Sequence, residues 1–292
     1  MKKDIVCPIC SCNKSTIVAV LDDIKFKRLL DFSARKYNGY LQKLAENVPP
    51  VVRYCLDCGH YWYQNLPSKQ QLNQLYEVSK PLKNILPDHM PTKYMLREIK
   101  KLLHMVKPKK LKKEVTLLDF GSGFGRWSRA ATEVGFIVTS FEPSKNRSFQ
   151  QDLPYRLVGN YHQLKNQKFD SILLEQVLEH LPDPLKILEK LKNNCHQETL
   201  LKIAVPNIHR NKDGKEVWNT WPYNGDDPHI LAPYEHLQGF CARSMDIMIQ
   251  KAGFKNLGLC QELRYTKFNL LRRLLGNIIP QISSTVRYVK IK

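Results

Sequence analysis

The stretch LLDFGSGFGRW at residues 117–127 most constrains the fold, because an apolar run passes directly into three closely spaced glycines. Gly121, Gly123 and Gly125 let the backbone turn tightly and approach a ligand closely, as loops between a strand and a helix do in nucleotide-binding proteins. The residues that follow, RWSRAATEVGF, are predicted to form the helix. A strand, a glycine loop and a helix in this order predict the start of an α/β sheet.

The rest of this region repeats the pattern. The short apolar runs FIVTSFE, FDSILLE and TLLKIAVP are separated by stretches of helical character. Strands that alternate with helices indicate a parallel sheet with helices on both faces. We therefore predict an α/β fold, with a Rossmann-like sheet in a domain that covers residues 114–262.

An acidic residue follows the second predicted strand. Glu142 ends FIVTSFE, about 20 residues past the glycines, where a carboxylate is placed to accept hydrogen bonds from ribose hydroxyls. The loop lacks the GKS or GKT of nucleoside triphosphatases, and Gly-x-Gly-x-Gly is one residue shorter than the dinucleotide pattern. A simple tight turn is the alternative for the glycines, but the position of Glu142 favours a binding loop.

Asp119, just before the glycines, completes an acidic-Gly-x-Gly-x-Gly motif that resembles the class I S-adenosylmethionine-dependent methyltransferases. The resemblance covers roughly residues 94–262 and continues in FDSILLEQVLEHLPDP, IAVPN and AGF. It implies S-adenosylmethionine as cofactor and methyl transfer as the reaction. The residues that it places against the cofactor are Asp119, Gly121 and Gly123 along the methionine part, Gln176 beneath the sulfonium, Glu142 at the ribose, and Asn160 and Tyr161 near the adenine. We interpret Glu179 and His180 as the start of a helix beside the cofactor, not as catalysts.

Two cysteine pairs lie in the first part of the chain. Each C-x₂-C knuckle can supply two thiolates to a tetrahedral zinc, and the four predicted ligands are Cys7, Cys10, Cys55 and Cys58. The segment of 44 residues between Cys10 and Cys55 is longer than the usual spacing of about 15–20, so its helical part is expected to be an insertion. Cys12 and His60 are spare candidates. Four thiolates leave no position for water, so we expect structural zinc rather than unmetallated thiols or catalytic zinc.

The motifs CPIC, CLDCGH and NLPSKQQLNQLY, followed by a methyltransferase domain, resemble the zinc-containing methyltransferases of sugar and natural-product pathways. In the sugar C-methyltransferases among them, a Tyr-Glu-His segment after the fifth strand supplies the base. The matching residues here are Tyr234, Glu235 and His236. We predict that His236 accepts a proton from the methyl acceptor, that Glu235 or a neighbouring carboxylate orients it, and that Tyr234 bonds a substrate oxygen.

The competing interpretation is structural: Glu235 and His236 would cap the following helix or tie the loop to the sheet. His229 and Tyr223 are further candidates, since WNTWPYNGDDPHILAPYEH is an aromatic loop, interrupted by prolines, that suits a substrate lid.

Charge and composition limit the partners. The 46 Lys and Arg residues against 27 Asp and Glu give a net charge of +19, which suits an anionic acceptor, nucleic acid or lipid, or simply a solvated surface. The favoured function is O- or C-methylation of a small molecule or glycan. RNA methylation and a non-catalytic interaction protein are the competing functions.

The remaining expectations concern organisation and location. We predict a zinc-binding module at 1–75, a helical linker at 76–113, and a basic extension at 263–292 that forms a surface helix and a loose end and could touch an anionic membrane. Eight cysteines with no export signal and no apolar run of about 18 residues favour the reducing cytoplasm.

Overall fold

The computed structural model describes residues 5–78, 90–106, 114–145, 152–208, 218, 221–224, 227–257 and 284–292. The chain divides into two compact units. The N-terminal unit comprises Met1–Leu86, Leu178–Pro184 and Pro206–Met248. The sheet unit comprises Pro87–Val177, Leu185–Val205 and Ile249–Lys292. Each unit therefore draws on several separate stretches of the chain.

The strands and α-helices follow one another along the chain as β1 (Ser15–Val20), α1 (Asp23–Tyr37), α2 (Tyr40–Asn47), β2 (Val51–Cys55), β3 (Tyr61–Tyr63), α3 (Lys69–Val78), α4 (Lys93–Val106), β4 (Val115–Phe120), α5 (Arg126–Val134), β5 (Phe136–Phe141), β6 (Arg156–Val158), β7 (Phe169–Glu175), α6 (Pro184–Leu191), β8 (Cys195–Pro206), β9 (Tyr223–Asn224), β10 (Asp227–Pro228), β11 (Gln238–Gly239), α7 (Ala242–Lys251), β12 (Phe254–Asn256) and β13 (Ser284–Ile291). Short 3₁₀ helices cover Tyr161–Leu164, Leu178–His180 and Lys192–Asn194.

The N-terminal unit is built on a four-stranded sheet in the order β1-β2-β3-β11, in which neighbouring strands are antiparallel. The helical segment predicted between the cysteine pairs forms α1 and α2. Asp22 caps α1 because its side-chain oxygen accepts a hydrogen bond from the backbone N–H of Lys25 at 2.8 Å. Phe32 of α1 stacks on Tyr223 at 3.9 Å between ring centroids, so this apolar face is covered by the chain after residue 220.

The sheet unit contains the predicted α/β sheet, a seven-stranded sheet in the order β12-β13-β8-β7-β4-β5-β6 that is flanked by helices. The five neighbouring strands β8, β7, β4, β5 and β6 are parallel, and β12 pairs antiparallel with β13. β4 pairs with β5 along one edge and with β7, which comes later in the chain, along its other edge. Crevices for ligands form at the carboxyl ends of strands where the order reverses in this way.

One face of this sheet packs against α4 and α5. Ile99 and Leu102 of α4 and Ala130 of α5 are fully buried against apolar residues of the central strands. This core packs the central strands β4, β5 and β7 against one another, and their carboxyl ends form the edge where a binding site is expected.

The prediction of a loose C-terminal end is wrong. Residues Ser284–Ile291 form β13, and Ile291, Lys290 and Val289 pair with β12. Tyr288 and Val289 are adjacent and therefore point to opposite faces of the sheet, and both are buried, so β13 is covered on both faces at its centre. The predicted basic helix before it lies within residues 258–283, outside the described residues. Among the helices that the structure describes, none is long and apolar enough to cross a membrane.

Candidate active site

Glu142 lies just after β5, at the carboxyl edge of the seven-stranded sheet, and its carboxylate is nearly buried. One oxygen accepts a hydrogen bond from the Gly123 backbone N–H at 2.8 Å, and the other accepts one from Ser144 N–H at 2.9 Å. The carboxylate therefore contacts the glycine loop directly. The pair that sequence reasoning brought together for ribose binding is adjacent in the structure.

The glycine loop contains two positions with different surroundings. Gly121 and Gly123 both have positive φ, +76° and +56°. A Cβ on Gly121 would lie 2.9 Å from the Val177 side chain, whereas a Cβ on Gly123 would meet nothing within 4 Å. Gly121 is thus required by packing, and Gly123 leaves open space beside Glu142, which fits the close approach of a ligand to the backbone.

Asp119 is directed into the protein. Its carboxylate accepts a hydrogen bond from Ser128 Oγ at 2.6 Å, and Ser128 in turn lies 2.7 Å from Ser140 Oγ. The pKa of Asp119 is raised to about 7, chiefly by burial, with the Ser128 hydroxyl opposing the shift and the nearby carboxylates of Glu175 and Glu142 adding to it. Asp119 therefore supports the loop from behind, and the sequence motif gave no sign of its two serine neighbours.

Asn160 and Tyr161 follow β6. Asn160 caps the 3₁₀ helix Tyr161–Leu164, since its side chain accepts from His162 N–H at 2.9 Å. The Tyr161 ring packs edge-on against Phe120 and Phe141, and its hydroxyl donates to Asn194 Oδ1 at 2.6 Å. The position offers an aromatic surface beside the ends of β4 and β5.

Gln176 is exposed directly after β7 and has a left-handed backbone, with φ at +56°. Its N–H donates to Ala204 O at 2.9 Å, which fixes the turn. The preceding residue, Glu175, forms an ion pair with Lys202, a lysine of β8 that is fully buried and lies 4.7 Å from the centre of the Trp127 ring. One indication of this buried ion pair was present in the sequence, which is the single lysine within the apolar run TLLKIAVP.

The four predicted zinc ligands converge in the N-terminal unit. The sulfurs of Cys7 and Cys58 are 3.6 Å apart, those of Cys10 and Cys55 are 3.5 Å apart, and all four lie within 4.8 Å of one another. A tetrahedral zinc with Zn–S distances of about 2.3 Å places its sulfurs about 3.8 Å apart, so the cluster fits the ion.

The two spare candidates have other contacts. Cys12 Sγ accepts a hydrogen bond from Lys14 N–H at 3.3 Å, and the buried His60 Nε2 lies 2.8 Å from Gln238 Oε1. His60 therefore joins the second cysteine pair to β11, which begins two residues after His236.

Tyr234, Glu235 and His236 have separate environments. Tyr234 is buried in the core of the N-terminal unit and its hydroxyl donates to Val48 O at 2.7 Å, which corrects the expectation that it faces a substrate. The carboxylate of Glu235 pairs with Lys36 at 3.3 Å rather than with the neighbouring imidazole, because successive side chains in this turn point in different directions. His236 Nδ1 lies 2.7 Å from Ile230 O.

His236 meets His180 instead. The two rings are 4.5 Å apart and nearly perpendicular, and His180 Nδ1 lies 2.7 Å from the backbone oxygen of Glu235. Glu179, buried beside them, has a carboxylate oxygen 3.9 Å from His180 Nε2. Burial lowers the pKa of His236. From the sequence, Glu179 and His180 were interpreted as the start of a helix. Their proximity to His236 could not be predicted, because residues that are far apart in the chain leave no local sequence pattern when the fold brings them together.

The two lid candidates are buried. Tyr223 stacks in the α1 core, and His229 is nearly buried with its Nδ1 accepting a hydrogen bond from Leu231 N–H at 3.0 Å. Both act as core residues in the part of this loop that the structure describes.

Comparisons with known proteins agree with this architecture. The profile of a methyltransferase domain matches residues 89–259, which is more than half of the chain. A tRNA U34 carboxymethyltransferase of Nautilia profundicola is 24% identical over 227 residues, which cover 70% of each protein. A ubiquinone biosynthesis O-methyltransferase of Coxiella burnetii is 33% identical over 113 residues, 32% of this chain and 47% of that protein, so the chain matches about half of its length.

Solved structures share the fold. The plantazolicin methyltransferase BpumL in complex with SAH has a TM-score of 0.51 at 13% identity, over 76% of this chain and 94% of that one. The plantazolicin methyltransferase BamL, solved with a triazolic desmethylPZN analog and SAH, has a TM-score of 0.52 at 13% identity, over 77% and 91%. At this identity the likeness concerns the fold alone.

Proposed function

This chain belongs to the class I S-adenosylmethionine-dependent methyltransferases, and we propose that it methylates an oxygen or carbon of a small molecule or glycan. The bound cofactor supplies a methyl group on a positively charged sulfur. Transfer then needs an acceptor atom held in line and a group that takes the acceptor's proton. The observation that carries the proposal is an imidazole, His236, whose surroundings suit it to accept a proton.

The cofactor would be held at the carboxyl edge of the seven-stranded sheet. Glu142 would accept hydrogen bonds from the ribose hydroxyls through carboxylate lone pairs that the Gly123 and Ser144 N–H groups do not use. The open space at Gly123 admits the ligand, Gly121 keeps the turn tight, and Asp119 supports both from the core.

The two ends of the cofactor are bounded by residues after β6 and β7. Asn160 and Tyr161 would border the adenine, where the Tyr161 ring, which packs against Phe120 and Phe141, would provide apolar contact. Gln176, which is exposed on a turn with a left-handed backbone, would lie beneath the sulfonium.

The acceptor's proton goes to His236 Nε2. A carbonyl oxygen only accepts hydrogen bonds, so the contact with Ile230 O places the proton of the neutral ring on Nδ1 and leaves the lone pair on Nε2. The lowered pKa keeps the ring neutral near pH 7, as a base requires. Glu235 serves this site through its backbone oxygen, which orients His180, while its carboxylate holds Lys36.

The cysteine cluster holds structural zinc. This zinc assignment is supported by the four sulfurs, which converge at distances that suit a tetrahedral ion. They lie in a unit whose main sheet has only four strands among the described residues, where a metal would add stability. Zinc would fix β2 and β3, and β3 pairs with β11 close to His236.

RNA methylation is the second candidate. A net charge of +19 and the similarity to a tRNA U34 carboxymethyltransferase over 70% of the chain favour it over a non-catalytic interaction protein. RNA binding that weakens steeply with salt, together with methyl transfer to RNA, would support this candidate over a small acceptor.

Transfer of a labelled methyl group from S-adenosylmethionine to nucleotide sugars, glycans, quinone-type phenols and RNA tests the function. His236→Ala is expected to lower turnover by about 10²–10⁴-fold while cofactor binding persists. The matched control is His104→Ala, since His104 Nδ1 also lies 2.7 Å from a backbone oxygen, that of Lys100, but on an exposed helix face. Near-normal turnover of the His236 variant would remove it from this role.

A further inference from the structure

Glu179, His180 and His236 form a second cluster of potential metal ligands, which we call the histidine cluster. One carboxylate oxygen and one nitrogen of each ring lie within 4.8 Å of one another. The residues come from two separate loops of the N-terminal unit: the 3₁₀ helix Leu178–His180 and the segment before β11. Leu237 N–H donates to Glu179 O at 2.7 Å, which joins the two loops at the backbone.

Both imidazoles are held in the same tautomer. His180 Nδ1 donates to Glu235 O and His236 Nδ1 donates to Ile230 O, each at 2.7 Å, because a carbonyl oxygen accepts only. The lone pair of each neutral ring is therefore on Nε2. Histidines that bind metals typically donate the other ring N–H to a backbone carbonyl or carboxylate in this way, which fixes the ring and its tautomer.

The charge of the cluster suits a cation. One ring nitrogen of each histidine and one carboxylate oxygen of Glu179, a residue that is 1% exposed, lie within 4.8 Å of one another, and neutral imidazoles and an ionised carboxylate are the forms that bind a cation. A cation between them stabilises the buried negative charge and separates the lone pairs. His180 is about a quarter exposed at its side chain, so an ion can enter from solvent.

We propose that the histidine cluster binds one divalent first-row transition cation, separate from the zinc of the four cysteines. Two histidines and one carboxylate are a ligand set for Zn²⁺, Mn²⁺, Fe²⁺ or Co²⁺, and three protein ligands leave a coordination position open. The four thiolates, in contrast, form a closed and soft site.

This inference rests partly on the proposed function, because His236 Nε2 appears in both. One lone pair serves a proton or a metal, not both at once. A bound cation therefore blocks proton acceptance at His236, and excess cation is expected to lower the rate of methyl transfer.

Manganese binding tests the site without an acceptor. The full chain is first loaded with one equivalent of zinc, which the thiolates retain, and is then titrated with Mn²⁺ while the signal of free Mn²⁺ is followed by electron paramagnetic resonance. Thiolates select zinc over manganese, so a bound Mn²⁺ reports the oxygen and nitrogen site. We expect one Mn²⁺ per chain, with affinity reduced at least about tenfold in Glu179→Gln, His180→Ala and His236→Ala.

Controls separate loss of a ligand from loss of the fold. His104→Ala is expected to bind Mn²⁺ like the unchanged protein, and circular dichroism and cofactor calorimetry monitor folding of each variant. If Mn²⁺ does not bind, or if it binds equally to all three cluster variants that remain folded, the cation site is wrong, and the methyl-transfer experiment still decides the proposed function.

The rate then separates the two proposals. A lower rate at saturating Mn²⁺ supports both. A higher or unchanged rate with Mn²⁺ bound leaves the cation site standing and overturns His236 as the proton acceptor.

Discussion

The two sheets acquire their functional residues by different routes. In the seven-stranded sheet, Glu142 meets the glycine loop because consecutive parallel strands end at the same edge. In the four-stranded sheet, β3 pairs with β11, so Trp62 lies opposite Gln238 far along the chain. The first site depends on a local motif, and the second depends on contacts between remote segments.

The difference has an energetic consequence. A strand, loop and helix in sequence close only short loops, whereas pairing β3 with β11 closes a long one at a higher entropic cost. A metal ion held by Cys7, Cys10, Cys55 and Cys58 would cross-link the first strands of this sheet, where β2 and β3 precede that long loop. If the metal is bound, we expect the N-terminal unit to depend on it more than the sheet unit depends on any single side chain.

The largest effect is expected from Cys58→Ser. Structural zinc contributes about 10–16 kcal/mol of apparent binding energy in small zinc peptides, so a lost thiolate should release the metal and unfold β2 and β3. Metal analysis and hydrogen exchange of the N-terminal unit measure this, and strands β4 to β8 should keep their protection. Cys12→Ser is the matched control. The Cys12 sulfur accepts a hydrogen bond from Lys14 N–H at 3.3 Å and does not belong to the four-cysteine cluster. Equal metal content in both variants would contradict the zinc assignment.

Glu142→Ala tests the local site. Loss of hydrogen bonds to a charged group costs about 1.5–3 kcal/mol, so cofactor affinity should fall roughly 10- to 100-fold. Calorimetry with S-adenosylhomocysteine measures the change, with the exposed Glu189→Ala as control. An unchanged dissociation constant would show that Glu142 only caps the glycine loop.

The two glycines distinguish packing from binding. Alanine at either position adopts a left-handed backbone at a cost of about 1–2 kcal/mol, but only at Gly121 does its Cβ also clash with Val177. Denaturant unfolding should therefore show Gly121→Ala as the less stable variant, while Gly123→Ala folds and binds cofactor weakly. The reverse order of stabilities would contradict the loop geometry.

The last prediction concerns Asp119 and pH. Its pKa is raised by burial from 3.8 to about 7, so the folded state holds a proton that the unfolded state releases. Stability should then decrease as pH rises from about 4 to about 7, and Asp119→Asn should flatten this part of the profile. Urea unfolding at pH 5 and pH 8 measures it, with Glu189→Gln as the exposed control. Identical pH profiles of the unchanged protein and Asp119→Asn would contradict the buried position.

The sequence predicted the α/β sheet, the glycine loop and its neighbour Glu142 because all three arise from short-range patterns. Strand periodicity, glycine placement and the distance to the next strand are written in consecutive residues. The convergence of Cys7, Cys10, Cys55 and Cys58 was also predictable, because each pair has a characteristic spacing. The strand Ser284–Ile291 was missed, since a short segment with basic residues at the end of a basic stretch resembles a solvated tail until its pairing with β12 is known.

The sequence by itself determined which chemical groups this protein has and the local frame of the glycine loop and Glu142. Only the tertiary structure decided that Tyr234 is a core residue, that Glu235 pairs with Lys36, and that His236 meets His180. The physical reason is that local backbone geometry sets where a side chain points, whereas its partners come from segments brought near by burial and long-range strand pairing, which leave no signal in adjacent residues.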